Sequence, residues 1–173
     1  MAQVTTSNAL AAVAEYAAAK DSDFALAALV RTAQQVVGYQ TALMSQIDRE
    51  QSLLRIHEVL NTDPSALTVP PGLQIPMTAS PCQHVASSTR PFTASDMLND
   101  PELMLLPAAK DMGATAYLGV PVTLSDGTFF GTLAALDTKP QQPSDEHVQW
   151  FQVLARFAAA EVERQGVKQL VAS

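Results

Sequence analysis

Cysteines and basic residues are scarce in this 173-residue chain, and each scarcity excludes a class of protein. There is one cysteine, Cys82, so no disulfide can form within the chain, and a reducing cytosol is the expected location. The 10 lysines and arginines face 17 aspartates and glutamates, which leaves a formal net charge of -7. Because no basic cluster exists to neutralise phosphates, neither nucleic acid nor an anionic membrane surface is an expected partner.

Long apolar runs and catalytic motifs are missing as well. No apolar stretch is long enough to span a bilayer, and residues 1–20 lack the basic start of a signal peptide. The three histidines and the one cysteine do not have the spacing of metal ligands. No phosphate-binding loop, dinucleotide-binding fingerprint or nucleophile–base pair is present in the spacing either. We therefore expect a protein that is not an enzyme and has no metal site, and the residues identify no cofactor.

The chain does contain enough apolar residues to form the core of one folded domain. Hydrophobic residues make up 47% of it and charged residues 16%. Two apolar runs, residues 116–124 and 128–137, are separated by Ser125-Asp126-Gly127, and an Asp-Gly pair between such runs predicts a β-hairpin. Few polar side chains interrupt either run, so both faces of the hairpin are expected to be covered.

Apolar spacing predicts the helices and strands around this hairpin. A helix with one buried face is predicted to end at Gly38, and a wide apolar stripe predicts a long last helix after Pro143. Residues 8–20 are predicted to form a weakly amphipathic first helix. Residues 39–48 and 51–60 are predicted to form strands.

The remaining middle part of the chain has short elements. Residues 61–72 are predicted to form a loop, and Ser80, Pro81 and Gln83 predict a helix that starts with a capping box. The order of elements gives an α+β fold with a mostly antiparallel sheet. The long terminal helices are expected on one face, and the short helices and loops of residues 61–113 on the other. A pocket is expected under that second cover.

Two groups of residues resemble the signature of GAF domains, the small sensory modules of signalling proteins. The first group is Tyr117-Leu118-Gly119-Val120-Pro121-Val122, Asp126-Gly127, Gly131-Thr132-Leu133 and Asp137. The second group is Ser80-Pro81-Cys82-Gln83-His84-Val85, Pro91, Phe92 and Asp96. The resemblance implies a GAF-like three-layer sandwich over residues 21–173, with residues 1–20 as a helical extension. It further implies a small-molecule ligand beneath the lid, residues 61–113, and a homodimer formed through the terminal helices.

Ten residues are candidates for the walls of this pocket, and most of them have a plain structural alternative. Side chains that alternate on one strand face can hold an anion or simply face solvent, and aromatic or methionine side chains can line a pocket or fill a core. Bare glycines let a ligand or a helix approach the backbone. The ten candidates are Arg55, His57, Met77, Cys82, Phe92, Asp96, Met97, Tyr117, Gly119 and Phe129.

Cys82 and Asp96 each have two interpretations. Cys82 is expected in the first turn of a helix, where backbone N–H groups favour a thiolate and hence a redox role, although a small buried side chain is the plainer reading. Asp96 either reaches into the pocket or caps a turn. A haem group would need His57 or His84 as its axial ligand.

The expected function is a non-enzymatic sensor in bacterial signal transduction, with a downstream signalling domain as a possible neighbour. The chain lacks the Asn-Lys, Phe and Asp-Glu motif of cyclic-nucleotide-binding relatives and the chromophore cysteine–histidine pair of bilin-binding ones. One alternative is a thiol redox sensor, or an enzyme similar to free methionine-(R)-sulfoxide reductase, acting through Cys82. The other is a ligand-free dimerisation or interaction module.

Overall fold

A six-stranded antiparallel sheet runs through the part of the chain that the structure describes. The structure, a computed structural model, describes residues 22–172, so the helix predicted over residues 8–20 lies outside the described residues. In chain order the strands are β1 (Thr41–Asp48), β2 (Leu53–Asn61), β3 (Gln74–Pro76), β4 (Phe92–Ala94), β5 (Ala116–Thr123) and β6 (Phe129–Asp137). Across the sheet their order is β3-β2-β1-β6-β5-β4, which confirms the predicted hairpin as part of the sheet's interior.

The two faces of the sheet carry different helices. The α-helices are α1 (Ser22–Val37), α2 (Cys82–Ser88), α3 (Pro107–Lys110) and α4 (Asp145–Ala172), with 3-10 turns at Met77–Ala79, Met97–Asn99 and Leu103–Leu105. The long helices α1 and α4 pack on one face, and α2, α3 and the 3-10 turns cover the other. This arrangement confirms the predicted α+β sandwich. Among the described helices, none combines the length and the apolar character needed to cross a bilayer.

The turn between β5 and β6 has the geometry that its sequence predicts. Gly127 has a φ of 87°, a value that glycine adopts at little cost. The N–H of Leu124 donates to the Thr128 carbonyl at 2.8 Å, which closes the ladder at the turn. The turn is also joined to α4, because the N–H of Ser125 donates to Glu163 Oε1 at 2.5 Å.

The core between the sheet and the long helices is apolar and contains many small residues. Phe151 and Leu154 of α4 lie among side chains of both neighbouring layers at 0% and 2% exposure. Ala33 of α1 and Ala155 and Ala158 of α4 are buried in the same core, and such small side chains allow helices to approach closely. The predicted apolar stripe of the last helix therefore forms the centre of this layer.

Two polar groups define the ends of strands and helices on this side. Asp137 is buried, and its carboxylate accepts hydrogen bonds from the N–H of Lys139 at 2.8 Å and of Gln40 at 3.1 Å. Asp137 thus closes β6. At the start of α4, Ser144 Oγ accepts from the N–H of His147 while His147 Nδ1 accepts from the N–H of Ser144, a reciprocal cap.

Candidate ligand-binding site

A small apolar cavity lies between the sheet and the lid. Its volume is about 30 Å³. β1, β2, β5 and β6 form its floor, and α2, α3 and the loop after β2 close it from above. The lining residues are Leu43, Leu54, Ile56, Val69, Leu73, Ile75, Ser80, Cys82, Ala108, Met112, Tyr117, Ala134 and Leu136.

Buried hydroxyl groups converge on the sulfur of Cys82 in the cavity wall. Tyr117 Oη donates to Cys82 Sγ at 3.3 Å, and Thr132 Oγ1 donates to the same sulfur at 3.4 Å. Thr132 Oγ1 also lies 2.7 Å from Ser45 Oγ, so four side chains form one connected group. All four are at most 3% exposed, and buried polar groups of this kind require such partners.

The side chains of this group meet because of strand alternation. Ser45 of β1 and Thr132 of β6 are register partners, and both point to the lid face. Burial, followed by the neighbouring Cys82, raises the pKa of Tyr117 well above its usual range. Tyr117 therefore remains a neutral hydroxyl donor at physiological pH, which suits an acceptor such as sulfur.

The helix that carries Cys82 starts differently from the sequence prediction. The predicted capping box is wrong: the side chain of Gln83 donates to the Thr78 carbonyl at 3.3 Å, and the N–H of Ser80 donates to the Met77 carbonyl at 3.3 Å instead of to Gln83. Ser80 does contribute, because its Oγ accepts a hydrogen bond from the N–H of Cys82 at 3.2 Å. Cys82 is the first residue of α2, so this bond fixes the backbone at the start of the helix. Its sulfur faces the sheet.

The space beside Gly119 is filled by the side chain of Tyr117. A Cβ at this position would lie 2.0 Å from Tyr117 Oη, so the tyrosine ring crosses the bare backbone two residues further along β5. The predicted close approach is therefore made by Tyr117. Gly131 of β6 also allows a close approach, because a Cβ there would lie 1.8 Å from the Ser45 carbonyl oxygen of the adjacent strand, next to the register shift between Met44 and Ser45 of β1.

Four more of the predicted residues belong to the apolar core between the sheet and the lid, but they do not line the cavity. Met97 is fully buried and Phe129 is 8% exposed, while Met77 and Phe92 are half-buried at the margins of this core. Their burial matches the structural alternative of the sequence prediction. They hold the lid on the sheet.

An arginine joins this core to the lid. Arg49 follows β1, and its guanidinium carbon lies 4.9 Å from the centroid of the Phe129 ring. Its Nη1 donates to the carbonyl of Ala86 in the last turn of α2 at 3.3 Å. A cation at the C-terminal end of a helix and over an aromatic face is favourable on both counts. The α2 helix is thus attached to the sheet at a second point besides Cys82.

Asp96 and His84 lie on the outer side of the lid. Asp96 Oδ2 accepts a hydrogen bond from Asn99 Nδ2 at 2.6 Å, which favours the turn interpretation for this residue. The His84 ring stacks on Phe92 with a centroid distance of 4.5 Å. Neither residue lines the cavity.

Arg55 and His57 lie on the opposite face of the sheet from the cavity. Both are exposed, and together with Leu26 of α1 they line a surface groove. The His57 ring lies 6.1 Å from that of Phe130, which packs against the helix-side core. The two residues do share a face, as predicted, but that face belongs to the long helices, so they are not part of the lid pocket.

The cavity has no charged side chain in its wall. A phosphate or carboxylate would lose its hydration there without a compensating partner, so the site suits uncharged guests. Among the described residues, no group of three histidine, cysteine, aspartate or glutamate side chains is placed to hold a metal ion. The arrangement offers an apolar space whose wall includes three polar side chains, the hydroxyls of Tyr117 and Ser80 and the thiol of Cys82.

The comparisons with known proteins agree on one fold. The sequence profile of the GAF domain family matches residues 21–162. A segment of 60 residues is 33% identical to the diguanylate cyclase DgcP of Escherichia coli, and it spans 35% of this chain but only 18% of the cyclase.

Solved structures extend the match to nearly the whole chain. The GAF domain of an Acinetobacter phosphoenolpyruvate-protein phosphotransferase has a TM-score of 0.77 at 12% identity, over 98% of this chain and 99% of that one. The corresponding domain from Coxiella burnetii has a TM-score of 0.77 at 16% identity, over 95% of each chain. The chromophore-binding domain of an R. palustris bacteriophytochrome has a TM-score of 0.76 at 14% identity, over 94% of this chain and 61% of that one. Identities this low show the fold alone.

Proposed function

Because this chain belongs to the GAF domain family, we propose that it is a non-enzymatic sensory domain that binds a small, uncharged molecule between the sheet and the lid. The observation that carries this proposal is the cavity beneath α2 and α3, whose wall has two hydroxyls and a thiol but no charge. Pockets of this kind fix an apolar guest by shape and orient it through a few polar atoms. Tyr117 and Cys82 are the groups that we assign to that second task.

The size of the cavity limits the guest. A volume of about 30 Å³ holds two water molecules at roughly 10–15 Å³ each, whereas a benzene-sized guest occupies a cavity of roughly 150 Å³. A guest of more than a few atoms therefore has to move the lid outwards. That movement is the signal we propose, because it changes the contacts of α2 and α3 with the sheet.

The proposed output runs through the helices on the opposite face. Glu163 of α4 accepts a hydrogen bond from Ser125 in the β5–β6 turn, so the end of the hairpin is in direct contact with the last helix. A guest transmits a signal only if it binds two arrangements of these helices with different affinity. We propose a signalling protein of the bacterial cytoplasm in which α4 passes this difference to a neighbouring domain.

A homodimer through the terminal helices is part of the same proposal. Phe24 of α1 is 54% exposed and Val153 of α4 is 39% exposed, so both long helices present apolar side chains to the outside. Analytical ultracentrifugation of a Phe24→Glu, Val153→Glu double variant should show monomers where the unchanged chain shows dimers. Leu105→Glu on the lid adds the same charge elsewhere and should leave the dimer intact. Equal behaviour of the two variants would contradict this assembly.

The binding proposal is tested by thermal unfolding with defined probes. Phenol, benzene and small alcohols should raise the melting temperature with concentration, since a molecule that binds only the folded state stabilises it. Cyclic AMP and cyclic GMP are the charged comparisons and should have no effect. Ala134→Val fills part of the cavity floor and should abolish the response, whereas Ala160→Val adds the same atoms on the exposed side of α4 and should preserve it.

A ligand-free interaction module is the second candidate, and the small cavity volume favours it. If no neutral probe changes the melting temperature, and native mass spectrometry of the purified protein shows only the mass of the chain, this candidate replaces the first. A redox role has less support, because Cys82 is 3% exposed and is the only cysteine of the chain. Mass spectrometry after peroxide, with and without free methionine sulfoxide, tests that alternative directly.

A further inference from the structure

The outer surface of the lid carries apolar side chains that the fold does not use. Leu98 and Met104 are each 44% exposed, and Leu105 is 70% exposed. We call these three residues the lid patch. Their chain neighbours Met97 and Leu103 are 0% and 7% exposed and hold the same two 3-10 turns on the core. Met97 and Leu103 therefore hold the two turns on the core, and the exposed apolar side chains are not needed for that packing. Exposed apolar patches of this kind are typical of interaction surfaces.

The lid patch is held in place by hydrogen bonds around Asp100. Its Oδ1 accepts from the N–H groups of Glu102 and Leu103, both at 2.9 Å, and its carbonyl accepts from the N–H of Met104 at 3.0 Å. These bonds join the 3-10 turn at Met97–Asn99 to the one at Leu103–Leu105. A preformed surface loses little conformational entropy on binding.

Three carboxylates lie in the segment that carries the lid patch, and His84 is a basic side chain whose charge acts on one of them, Asp100. Asp96, Asp100 and Glu102 lie within the segment, and no lysine or arginine occurs between Arg90 and Lys110. The N–H groups of Leu103 and then Glu102 hold the pKa of Asp100 below its usual range, so this carboxylate is ionised at neutral pH. Apolar side chains within an acidic border are complementary to a partner that is both apolar and basic.

We propose that the lid patch binds a basic, amphipathic segment of another protein. A second copy of this chain is a poorer occupant, because it carries a net charge of -7 and presents the same carboxylates. An anionic membrane would meet the acidic border with like charge. A helix with leucine-type residues on one face and lysine or arginine beside them satisfies both features of the patch.

The test uses a short synthetic peptide of leucine and lysine in an amphipathic helical repeat, with a leucine–glutamate peptide of the same pattern as its comparison. Fluorescence anisotropy measures the Kd on the full chain, and amide NMR shifts locate the site. The basic peptide should shift the amides of residues 96–106, and its Kd should rise with added salt. Leu105→Ser should weaken binding by about tenfold, since it removes the most exposed apolar side chain of the lid patch, whose burial would favour binding.

Thr123→Ser is the matched control, because it also places a serine at an exposed position without changing charge, on β5 and outside the lid. It should leave the Kd unchanged. Neither substitution touches a buried residue, and the melting temperatures of both variants should stay close to that of the unchanged chain. The proposal is wrong if Leu105→Ser and Thr123→Ser bind alike, if the amide shifts lie outside the lid, or if the acidic peptide binds as tightly. It is also wrong if Leu105→Ser dissociates a dimer of the chain itself.

Discussion

The two faces of the sheet are covered in different ways, and the difference separates stability from adaptability. On one face, α1 and α4 lie along the sheet and bury a continuous apolar core with many alanines. On the other face, two helices of seven and four residues and several 3-10 turns enclose a cavity and a chain of hydroxyl and thiol groups. Short elements with few buried contacts open at lower cost than long packed helices. We therefore expect the helix face to be the more stable part and the lid face to open more easily.

The largest expected loss of stability comes from replacing a buried phenylalanine, and we expect it to differ between the two faces. Phe151→Ala on the helix face should cost about 3–5 kcal/mol of unfolding free energy, because Phe151 is 0% exposed and its loss leaves a cavity in a closely packed layer. Phe129→Ala on the lid face should cost less, since Phe129 lies at 8% exposure under the guanidinium of Arg49. Urea unfolding measures both. Equal losses would remove the distinction between the two faces.

The two buried glycines of the hairpin give the next effect. Gly131→Ala should cost about 2–3 kcal/mol, because the new Cβ would meet the Ser45 carbonyl at 1.8 Å and the strands cannot separate without breaking their ladder. Gly119→Ala should cost less, about 1–2 kcal/mol, because the atoms in the way belong to the Tyr117 side chain rather than to backbone, and its displacement breaks the hydrogen bond to Cys82. Chemical denaturation gives both values. A greater loss at Gly119 would show that the tyrosine contact with Cys82 matters more than strand approach.

Two adjacent alanines of β6 provide a smaller and sharper comparison. Ala134 lines the cavity and Ala135 faces the long helices, and both are 0% exposed. Ala135→Val should cost about 1–2 kcal/mol through overpacking, whereas Ala134→Val should change stability by less than about 0.5 kcal/mol because the cavity accepts part of the added volume. The midpoint of urea unfolding reports the difference. If Ala134→Val is as costly as its neighbour, the lid face is fully packed and the receptor proposal loses its basis.

The parts of this fold that follow from local chemistry could be predicted from the sequence. Asp126-Gly127 predicts the hairpin because only a few turns suit a two-stranded ribbon, and the lack of polar side chains in β5 and β6 predicts that both faces are covered. Alternation within residues 51–60 predicts that Leu54 and Ile56 share the apolar side of β2, and both line the cavity. These features depend on neighbours within a few residues.

The parts that depend on long-range packing could not be predicted. Alternation places Arg55 and His57 on one face of β2, but only the tertiary structure decides that this face belongs to α1 rather than to the lid. Thr132 and Ser45 are hydroxyl residues with apolar neighbours in β6 and β1, and the contact between them, which links Ser45 through Thr132 to Cys82, requires the β1–β6 register. A threonine or serine inside an otherwise apolar strand is the signal that points to such a group.

The smallest expected effect concerns the attachment of the lid at Arg49. Arg49→Met removes the hydrogen bond to Ala86 and the cation over Phe129, which should cost about 0.5–1 kcal/mol because the side chain is exposed. The more specific readout is hydrogen exchange of the α2 amides, which should become faster while the amides of α4 keep their rates. Arg55→Met, an exposed arginine on the helix face, is the matched control and should change neither. Identical exchange in the two variants would mean that α2 is held by Cys82 and its apolar neighbours alone, so that opening of the lid would depend on the cavity wall rather than on its edge.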